Sequence, residues 1–458
     1  MNRLAVECVR QWPHTRFSYA FAILSASLAT GLALADDAAK WNKILNDKSE
    51  VKLPAPRPKV EWLTRYDPAF KQAQKENRPL FVTFRCLPCK QCAEFDQDVL
   101  DGGTDLDPLL KQFVCVRVTN AEHILLNIFP LEGFQDLDLS WWGYFLSPQG
   151  QTYAVFGGKD HVSDSTRIST AALANTMRRV LEHHYHPERE KWNIDGPTPD
   201  LTPYRQAYQL PGTKSWAKQY PQKEGCMHCH QVAEVLRQPA IDAGTFDKHR
   251  DTQVWPLPEN VGITLDRDHG LVVKDVEADS AAARAGIQAG DMLVAAGGRK
   301  LFGQADFRGV LHRGPQSAGE IEVYWLRRRE VRHGKIAVKE GWRRTILDWR
   351  MSIAEGNVGA GPGFFPLRLS NEQRRASGIA DDAKAVRVYM GPNTRGGARE
   401  AGLKNDDVIV AVNGERLTAD GRAFLVWFRM NFDPGDDVTL TALDAAGRKR
   451  QVSYRVGH

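Results

Sequence analysis

Residues 285–298, Ala-Gly-Ile-Gln-Ala-Gly-Asp-Met-Leu-Val-Ala-Ala-Gly-Gly, return 116 positions later as residues 401–414, Ala-Gly-Leu-Lys-Asn-Asp-Asp-Val-Ile-Val-Ala-Val-Asn-Gly. A repeat of this kind constrains the C-terminal half to two copies of one supersecondary module. Each copy reads as a short helix ending in Ala-Gly, a turn, an apolar strand and a glycine-containing hairpin turn. With 458 residues the chain has room for about three domains of ~100 to 200 residues each. Its 42% hydrophobic and 26% charged residues mark it as globular, with enough apolar material for more than one core.

The helix, the Ala-Gly pair, the turn at Gly290-Asp291 and the apolar strand closing on Asn413-Gly414 resemble the bacterial PDZ domain. The resemblance covers residues 257–349 and 358–457, with Asn405-Asp406 standing where Gly-Asp is usual in the second copy. It implies small β-barrel-like sheets with helices, at whose edge the C-terminal strand of a peptide is added while a loop of backbone amides captures its carboxylate. By resemblance that loop is Val261-Gly262-Ile263-Thr264 in the first copy and lies near Phe364-Phe365-Pro366-Leu367 in the second. Pro366 departs from the pattern, because proline removes an N–H that the loop or strand could donate. The alternative is that one or both grooves are filled from within the protein and serve as packing modules.

At the other end, Arg3, Arg10 and Arg16 precede an apolar run from Phe17 to Ala35 that closes on Ala33-Leu34-Ala35 before Asp36-Asp37. This is the pattern of a secretory signal peptide over residues 1–35, and it predicts export to the periplasm. A retained membrane anchor is the alternative. Ser25, Ser27, Thr30 and Gly31 dilute the run, which barely reaches the ~20 apolar residues of a membrane span. Cys8 falls in the leader, leaving six cysteines for a compartment where disulfides and c-type haem form. The formal charge of +5 falls to +3 without the leader's three arginines and one glutamate, too slight to point to nucleic acid. The basic stretch around Arg327-Arg328-Arg329 has no interleaved aromatic residues to stack bases and reads as a solvated strand pair.

Residues 59–186 alternate between helical and strand patterns. Asp67-Pro68 predicts a helix start, with Phe70, Ala73 and Gln74 on its inner face. Strands follow at 80–84, 113–118, 143–146 and 153–156, with a helix through Phe95 and Leu100 and a last helix over 169–184. This order, and the strand Leu80-Phe81-Val82-Thr83-Phe84 with cysteines directly after it, resembles the thioredoxin fold. Cys86, Cys89 and Cys92 form two overlapping Cys-x-x-Cys pairs, and either can be the dithiol. The spacing from Phe84 favours Cys89 with Cys92, while Pro88 and Lys90 sit in the first pair as in Cys-Gly-Pro-Cys-Lys. A helix N-terminus lowers a thiol pKa there, and Arg85 and Lys90 add positive charge. The third cysteine resolves a mixed disulfide, or the three bind a metal, with Cys115 read as a core residue rather than a fourth ligand. The resemblance also shows departures: Trp141 stands where the family has a cis-proline facing the dithiol, Pro88 in place of the tryptophan before it, and Thr83 in place of the buried aspartate.

Between these units, residues 187–256 are punctuated by prolines and read as a linker with two short helices around Cys226-Met227-His228-Cys229-His230. Two cysteines three apart followed by histidine is the pattern for covalent c-type haem: the thiols add to the porphyrin vinyl groups and His230 ligates the haem iron. Zinc held by Cys226, Cys229 and a histidine, or a structural disulfide, are the competing readings. His249, Met177, Met292 and His269 are candidates for a sixth ligand, while the cluster at His183-His184-Tyr185-His186 reads as structural.

The expected fold class is thus multidomain, α/β followed by mixed α+β: a thioredoxin-like domain, a short haem-motif linker and two PDZ domains. That order resembles exported bacterial proteins of thioredoxin-like plus tandem PDZ type with a haem motif between the parts. It implies a periplasmic thiol/haem redox protein, either a thiol-disulfide oxidoreductase or an electron-transfer protein, whose PDZ modules hold C-terminal tails or exposed strands of envelope proteins. A non-catalytic adaptor with structural or zinc-binding cysteines is the second reading. No Gly-x-Ser-x-Gly nucleophile context precedes the modules, which speaks against a protease.

Overall fold

The computed structural model describes residues 38–85, 97, 100, 105–119, 124–129 apart from 126, 141–157, 169–219 apart from 197, 200–205 and 207–208, 229–348, 350–392 and 397–457. Residues 38–45 form a helix in a unit of their own, 1–47; all that follows belongs to the second unit, 48–458.

The N-terminal domain is a five-stranded mixed sheet of β1 (Trp62–Leu63), β2 (Leu80–Arg85), β3 (Val114–Val118), β4 (Trp141–Leu146) and β5 (Thr152–Gly157), in the order β1-β3-β2-β4-β5. Strand β2 runs parallel to β3 and antiparallel to β4. It is apolar at nearly every position because helices cover both faces. Leu80, Val82 and Phe84 enter one core with α1 (Tyr66–Glu76), and Phe81 enters the other with α2 (Thr170–His184). Phe81 stacks on Phe145 at 4.8 Å, and Phe84 meets Phe129 edge-on at 4.8 Å.

Three local expectations are corrected. Helix α1 starts at Tyr66, and its N-cap Arg65 makes no side-chain cap, so Asp67 lies in the first turn, where the helix dipole favours an acid. Gln74 is exposed and donates to the Pro148 carbonyl at 3.2 Å, while Ala69 joins Phe70 and Ala73 on the inner face. In α2, Ser169 is the cap rather than the first turn, accepting from the Ala172 amide.

The segment after α2 does more than connect. It carries a helix over Thr213–Gln219 and a fourteen-residue helix α3 (Cys229–Asp242). Leu210, Trp216, Val232 and Val235 are buried in the same core as Val82 and Phe84. Trp216 donates its indole N–H to Glu234 at 2.9 Å, so the polar atom of a buried ring is satisfied. On its far side α3 binds the chain beyond: Arg237 donates to the Ser352 carbonyl at 2.5 Å, and Asn357 donates to Gln238 at 2.8 Å.

The first repeated module comprises β6 (Ile263–Leu265), β7 (Val273–Val276), β8 (Met292–Ala296), β9 (Arg299–Lys300), α4 (Gln304–Arg313), β10 (Gly319–Arg327) and β11 (Glu330–Val338), in sheets β6-β7 and β11-β10-β8-β9. After the short helix α5 (Met351–Ala354), the second comprises β12 (Phe365–Arg368), β13 (Val386–Tyr389), β14 (Val408–Val412), β15 (Glu415–Arg416), α6 (Gly421–Asn431), β16 (Asp437–Leu443) and β17 (Lys449–Arg455). Its sheet runs β12-β13-β14-β16-β17, with β15 on β14.

The repeated residues occupy equivalent places. Buried Asp291 accepts from Arg327 Nε and Nη2, both at 2.8 Å, and buried Asp407 pairs with Arg450. Each also closes its turn through a backbone amide, Gln288 at 2.8 Å and Lys404 at 2.7 Å. The structural partner of Gly290 (φ +87°) is therefore Asp406 (φ +70°), and the partner of Asp291 is Asp407, one residue later than the Asn405-Asp406 reading. Asp406 holds this left-handed backbone while pairing with Arg387 at 2.6 Å.

Helix α4 joins the first module to the N-terminal domain. Phe307, Val310 and Leu311 fill the module's own core, while Ala305 enters the core of the N-terminal sheet. Asp306 at its start accepts from the Val155 amide on β5 and from the Phe302 and Gly303 amides, each at 2.9 Å. Burial pushes the Asp306 carboxyl up to about 6 against the lowering effect of these three donors. Helix α2 adds Thr176 and Arg179, which donate to the Phe302 carbonyl at 3.2 and 2.9 Å. Asp306→Ala leaves three buried donors without an acceptor, at about 1 to 3 kcal/mol each. Denaturant midpoints should show a loss of several kcal/mol, and a smaller one for Asp306→Asn. Because the folded-state pKa lies above the unfolded one, the wild-type advantage over Asp306→Asn should grow as pH falls from about 6 to about 4.

Candidate functional site

Strand β6 is an edge strand: among the described residues it pairs with β7 alone. Its register sets which backbone groups stay open. Gly262 O accepts from the Glu277 amide at 2.9 Å, and Ile263 lies opposite Val276 and Thr264 opposite Asp275, so Gly262 and Thr264 face β7. Past a bulge, Leu265 lies opposite Val273, whose own N–H and C=O are spent on Asp291 and Gly290. Ile263 and Leu265 therefore turn their N–H and C=O groups to the open edge. The loop before them is tighter than a free amide cradle. Residues Pro258–Val261 form a 3-10 turn, and the Gly262 amide (φ +83°) donates to the Glu259 carbonyl at 2.9 Å.

The second module repeats this layout with different chemistry. Gly363 (φ +76°) is the counterpart of Gly262, so Phe364 and Pro366 stand where Ile263 and Leu265 do. Pro366 lies opposite Val388, whose N–H and C=O bond Asp407 and Asp406, so Pro366 faces the open edge with no N–H to offer. Phe364 is buried, its ring 6.2 Å from Phe424 of α6, which makes it a core residue rather than a groove wall. Phe365 is 56% exposed beside Tyr389, its cross-strand partner. Helix α6 packs directly on β12, and its N-cap Asp420 pairs with Arg368 at the end of β12 at 2.9 Å.

Of the residues expected to carry redox chemistry, Cys86, Cys89, Cys92 and Cys226 lie outside the described residues. Cys229 and His230 open α3, and their side chains are likewise outside the description. The surroundings are informative. Trp141 lies opposite Arg85 across β2–β4, Arg85 being the last described residue before the cysteine segment. Thr83 is fully buried and donates to the Val116 carbonyl at 3.4 Å, a neutral group where a base would stand. Cys115 is buried, with its thiol pushed up to about 12 by desolvation, which leaves it inert as nucleophile or ligand.

The histidine cluster is only partly satisfied, for His183 Nδ1 and the Tyr185 hydroxyl are buried without a hydrogen-bond partner among the described residues. His183 Nε2 lies 2.6 Å from Asp195, which Arg189 also binds at 3.2 Å. His184 Nε2 lies 3.2 Å from the Asn77 carbonyl and must donate there, so its Nδ1 accepts from the Tyr153 hydroxyl at 2.9 Å. Met177 is fully buried in the core, and exposed His269 is bound to Asp266 at 2.8 Å. Sequence reasoning missed the basic pair Arg299-Lys300, which lies in a cleft between β5, α4 and Trp255; nothing in the local pattern separates it from an ordinary hairpin strand.

Comparison with known proteins agrees with two of these units. Residues 61–128 match the family model described as thioredoxin-like, and residues 272–318 match the one described as PDZ domain. The chain thus carries a thioredoxin-like domain and a PDZ domain. Among solved structures it is similar to the HtrA-type protease AlgW with a decapeptide, at 25% identity over 27% of this chain and 36% of that chain, with a TM-score of 0.19. A variant of AlgW with a tripeptide gives 24% identity over 27% and 39%, with a TM-score of 0.19. The chain spans little more than a third of the length of these proteases.

Burial holds His183, His184 and His312 neutral, with each pKa lowered to about 4. Their contribution to stability is complete above the unfolded value of about 6.5 and is lost as pH falls towards 4. Unfolding free energy should drop across that window by about 1.4 kcal/mol per pH unit for each histidine, and His184→Gln should flatten the slope by one such share.

Proposed function

We propose that this is an exported periplasmic redox protein in which a thioredoxin-like dithiol and a c-type haem share one chain, and in which the first PDZ module holds the peptide tail of an envelope partner. The observation that supports the tail-binding part is the open edge of β6, with Ile263 and Leu265 directed outward. A peptide strand laid there gains two N–H donors and two acceptors from this chain. The second module, if PDZ by descent, offers one donor fewer at Pro366 and a helix seated on its edge strand; we assign it a packing role.

For the redox part, the donor set of Cys226, Cys229 and His230 suits covalent haem, and the start of α3 at Cys229 places His230 in a first helical turn. The inner face of α3 is already filled by Val232 and Val235 in the N-terminal core, so the motif lies at the end of an anchored helix. Cys226 and Cys229 would hold the porphyrin and His230 its iron; haem bound there supplies one-electron exchange. The dithiol, Cys89 with Cys92 or with Cys86 resolving, follows the strand whose last residue pairs with Trp141. Thr83, neutral at the position where the family carries a buried aspartate, offers no carboxylate to move a proton, which favours slow or partner-assisted exchange. The same observation supports the second reading, an adaptor with structural or zinc-binding cysteines.

A haem stain on a denaturing gel and a pyridine haemochrome spectrum of the protein exported in a host that matures c-type cytochromes decide between them. Covalent haem lost in Cys226→Ala/Cys229→Ala is the expected result; zinc or a disulfide instead leaves the adaptor. For tail binding, hydrogen exchange in the presence of a saturating C-terminal peptide should slow at Ile263 and Leu265 by ten-fold or more and leave 364–368 unchanged. A peptide N-methylated at its edge-facing amides should lose the effect.

A further inference from the structure

Thr152 and Tyr153 of β5, Trp255, and Arg299 and Lys300 of β9 surround a cavity of about 50 Å³ that α4 closes with Asp306, Gly309 and Arg313. A smaller cavity of about 10 Å³ adjoins it, sharing Thr152, Tyr153, Arg299 and Lys300 and reaching Asp195. On a measure by which one water needs roughly 10 to 15 Å³, the larger cavity holds several waters or one oxyanion.

The charges around it do not balance. Arg299 and Lys300 line the larger cavity beside a single carboxylate, Asp306. Both oxygens of Asp306 are already turned to the Val155, Phe302 and Gly303 amides. In the smaller cavity Asp195 is likewise engaged, by His183 and Arg189. Lys300 has ring faces for neighbours, Trp192 at 5.3 Å and Phe302 at 5.7 Å, and among the described residues no carboxylate lies within ion-pairing distance of it. Glu182 and Asp195 attract it only from farther away, and burial lowers its proton affinity. Arg299 also has no hydrogen-bonded acceptor among the described residues. Lys300, part-buried among the rings, carries a desolvation cost that an anion would offset, and Arg299, exposed at the cleft mouth, adds a second positive charge beside it.

We propose that this cleft is a binding site for a small oxyanion, a carboxylate or a phosphate, held by Lys300 and Arg299 between the thioredoxin-like domain and the first PDZ module. Bound there, the anion ties β9 of one domain to β5 of the other. Lys300 acts as a point charge among the rings, and Arg299 supplies a fork suited to two oxygens of one group. The open edge of β6 is not part of the site.

The test titrates the full chain at constant ionic strength with inorganic phosphate and, separately, with succinate, against a chloride control, following tryptophan fluorescence and the melting temperature. Saturable binding of one or both anions, with a rise in Tm, is expected. Lys300→Met and Arg299→Gln should each weaken binding about ten-fold, and Lys300→Arg should retain it. Binding by phosphate alone identifies phosphate esters as the ligand class, and binding by succinate alone identifies carboxylates. No binding beyond the chloride control overturns the proposal, as does wild-type affinity in both charge-removing variants. Arg329→Gln, on the exposed β10–β11 turn, shows whether a lost effect reflects this cleft or the net charge. Melting of each unliganded variant at the wild-type temperature excludes misfolding as the cause.

Discussion

Helix α4 is buried against two cores at once, and the positions of the other functional elements follow from it. Its residues divide by face: Phe307, Val310 and Leu311 inward, Ala305 toward the N-terminal sheet, Arg308 and His312 toward Trp255. Asp306 makes the arrangement specific, because its carboxylate reaches the β5 edge strand only when the helix start sits against that strand. An amide on an edge strand would otherwise be open to a foreign strand, so the same bond protects the sheet. Trp255 completes the junction from the connecting segment, stacked on His312 at 5.4 Å and edge-on to Trp142 at 6.4 Å. Its backbone is held at φ +51°, a conformation a tryptophan adopts only where its surroundings over-determine it.

The two modules illustrate how one layout can keep or lose the hydrogen-bonding groups of an open strand edge. Both place a left-handed glycine before an edge strand and both close the following turn with a buried aspartate. The difference rests on a few atoms. Leu265 offers an amide where Pro366 offers a ring carbon, and Arg368 bridges to the α6 cap in the second module. In the first module, α4 is instead committed to the neighbouring domain.

Much of the layout was legible in the sequence because it depends on local rules. The repeat follows from turn chemistry, the strands expected at 80–84, 113–118, 143–146 and 153–156 agree with those found to within two residues, and Pro366 showed its missing donor directly. What was not legible depends on partners distant in sequence. The prolines of 187–256 suggested a passive connector, yet Trp216, Val232 and Val235 are core residues of the N-terminal domain. Nothing local reveals that Glu234 serves Trp216, or that Asp306 serves Val155. The Asp67 cap failed because Arg65 already supplies extended backbone at the helix entry, and Gln74 failed because α1 turns a narrow face, Ala69, Phe70 and Ala73, to the sheet.

The core that contains Val82 and Phe84 also contains Val232, Val235 and Ala305. A chain made from its N-terminus therefore completes the strands of the thioredoxin-like sheet well before it has the residues that seal them. At about 5 to 20 residues per second, the interval between residues 157 and 305 lasts roughly seven to thirty seconds. During that time this core lacks several of its members, and an incomplete core exposes apolar surface, the condition under which holding chaperones act. Long sequence separation between core partners slows folding for the same entropic reason. The order of assembly is thus written into the packing: the core of the thioredoxin-like sheet is completed by residues of the segments that follow it.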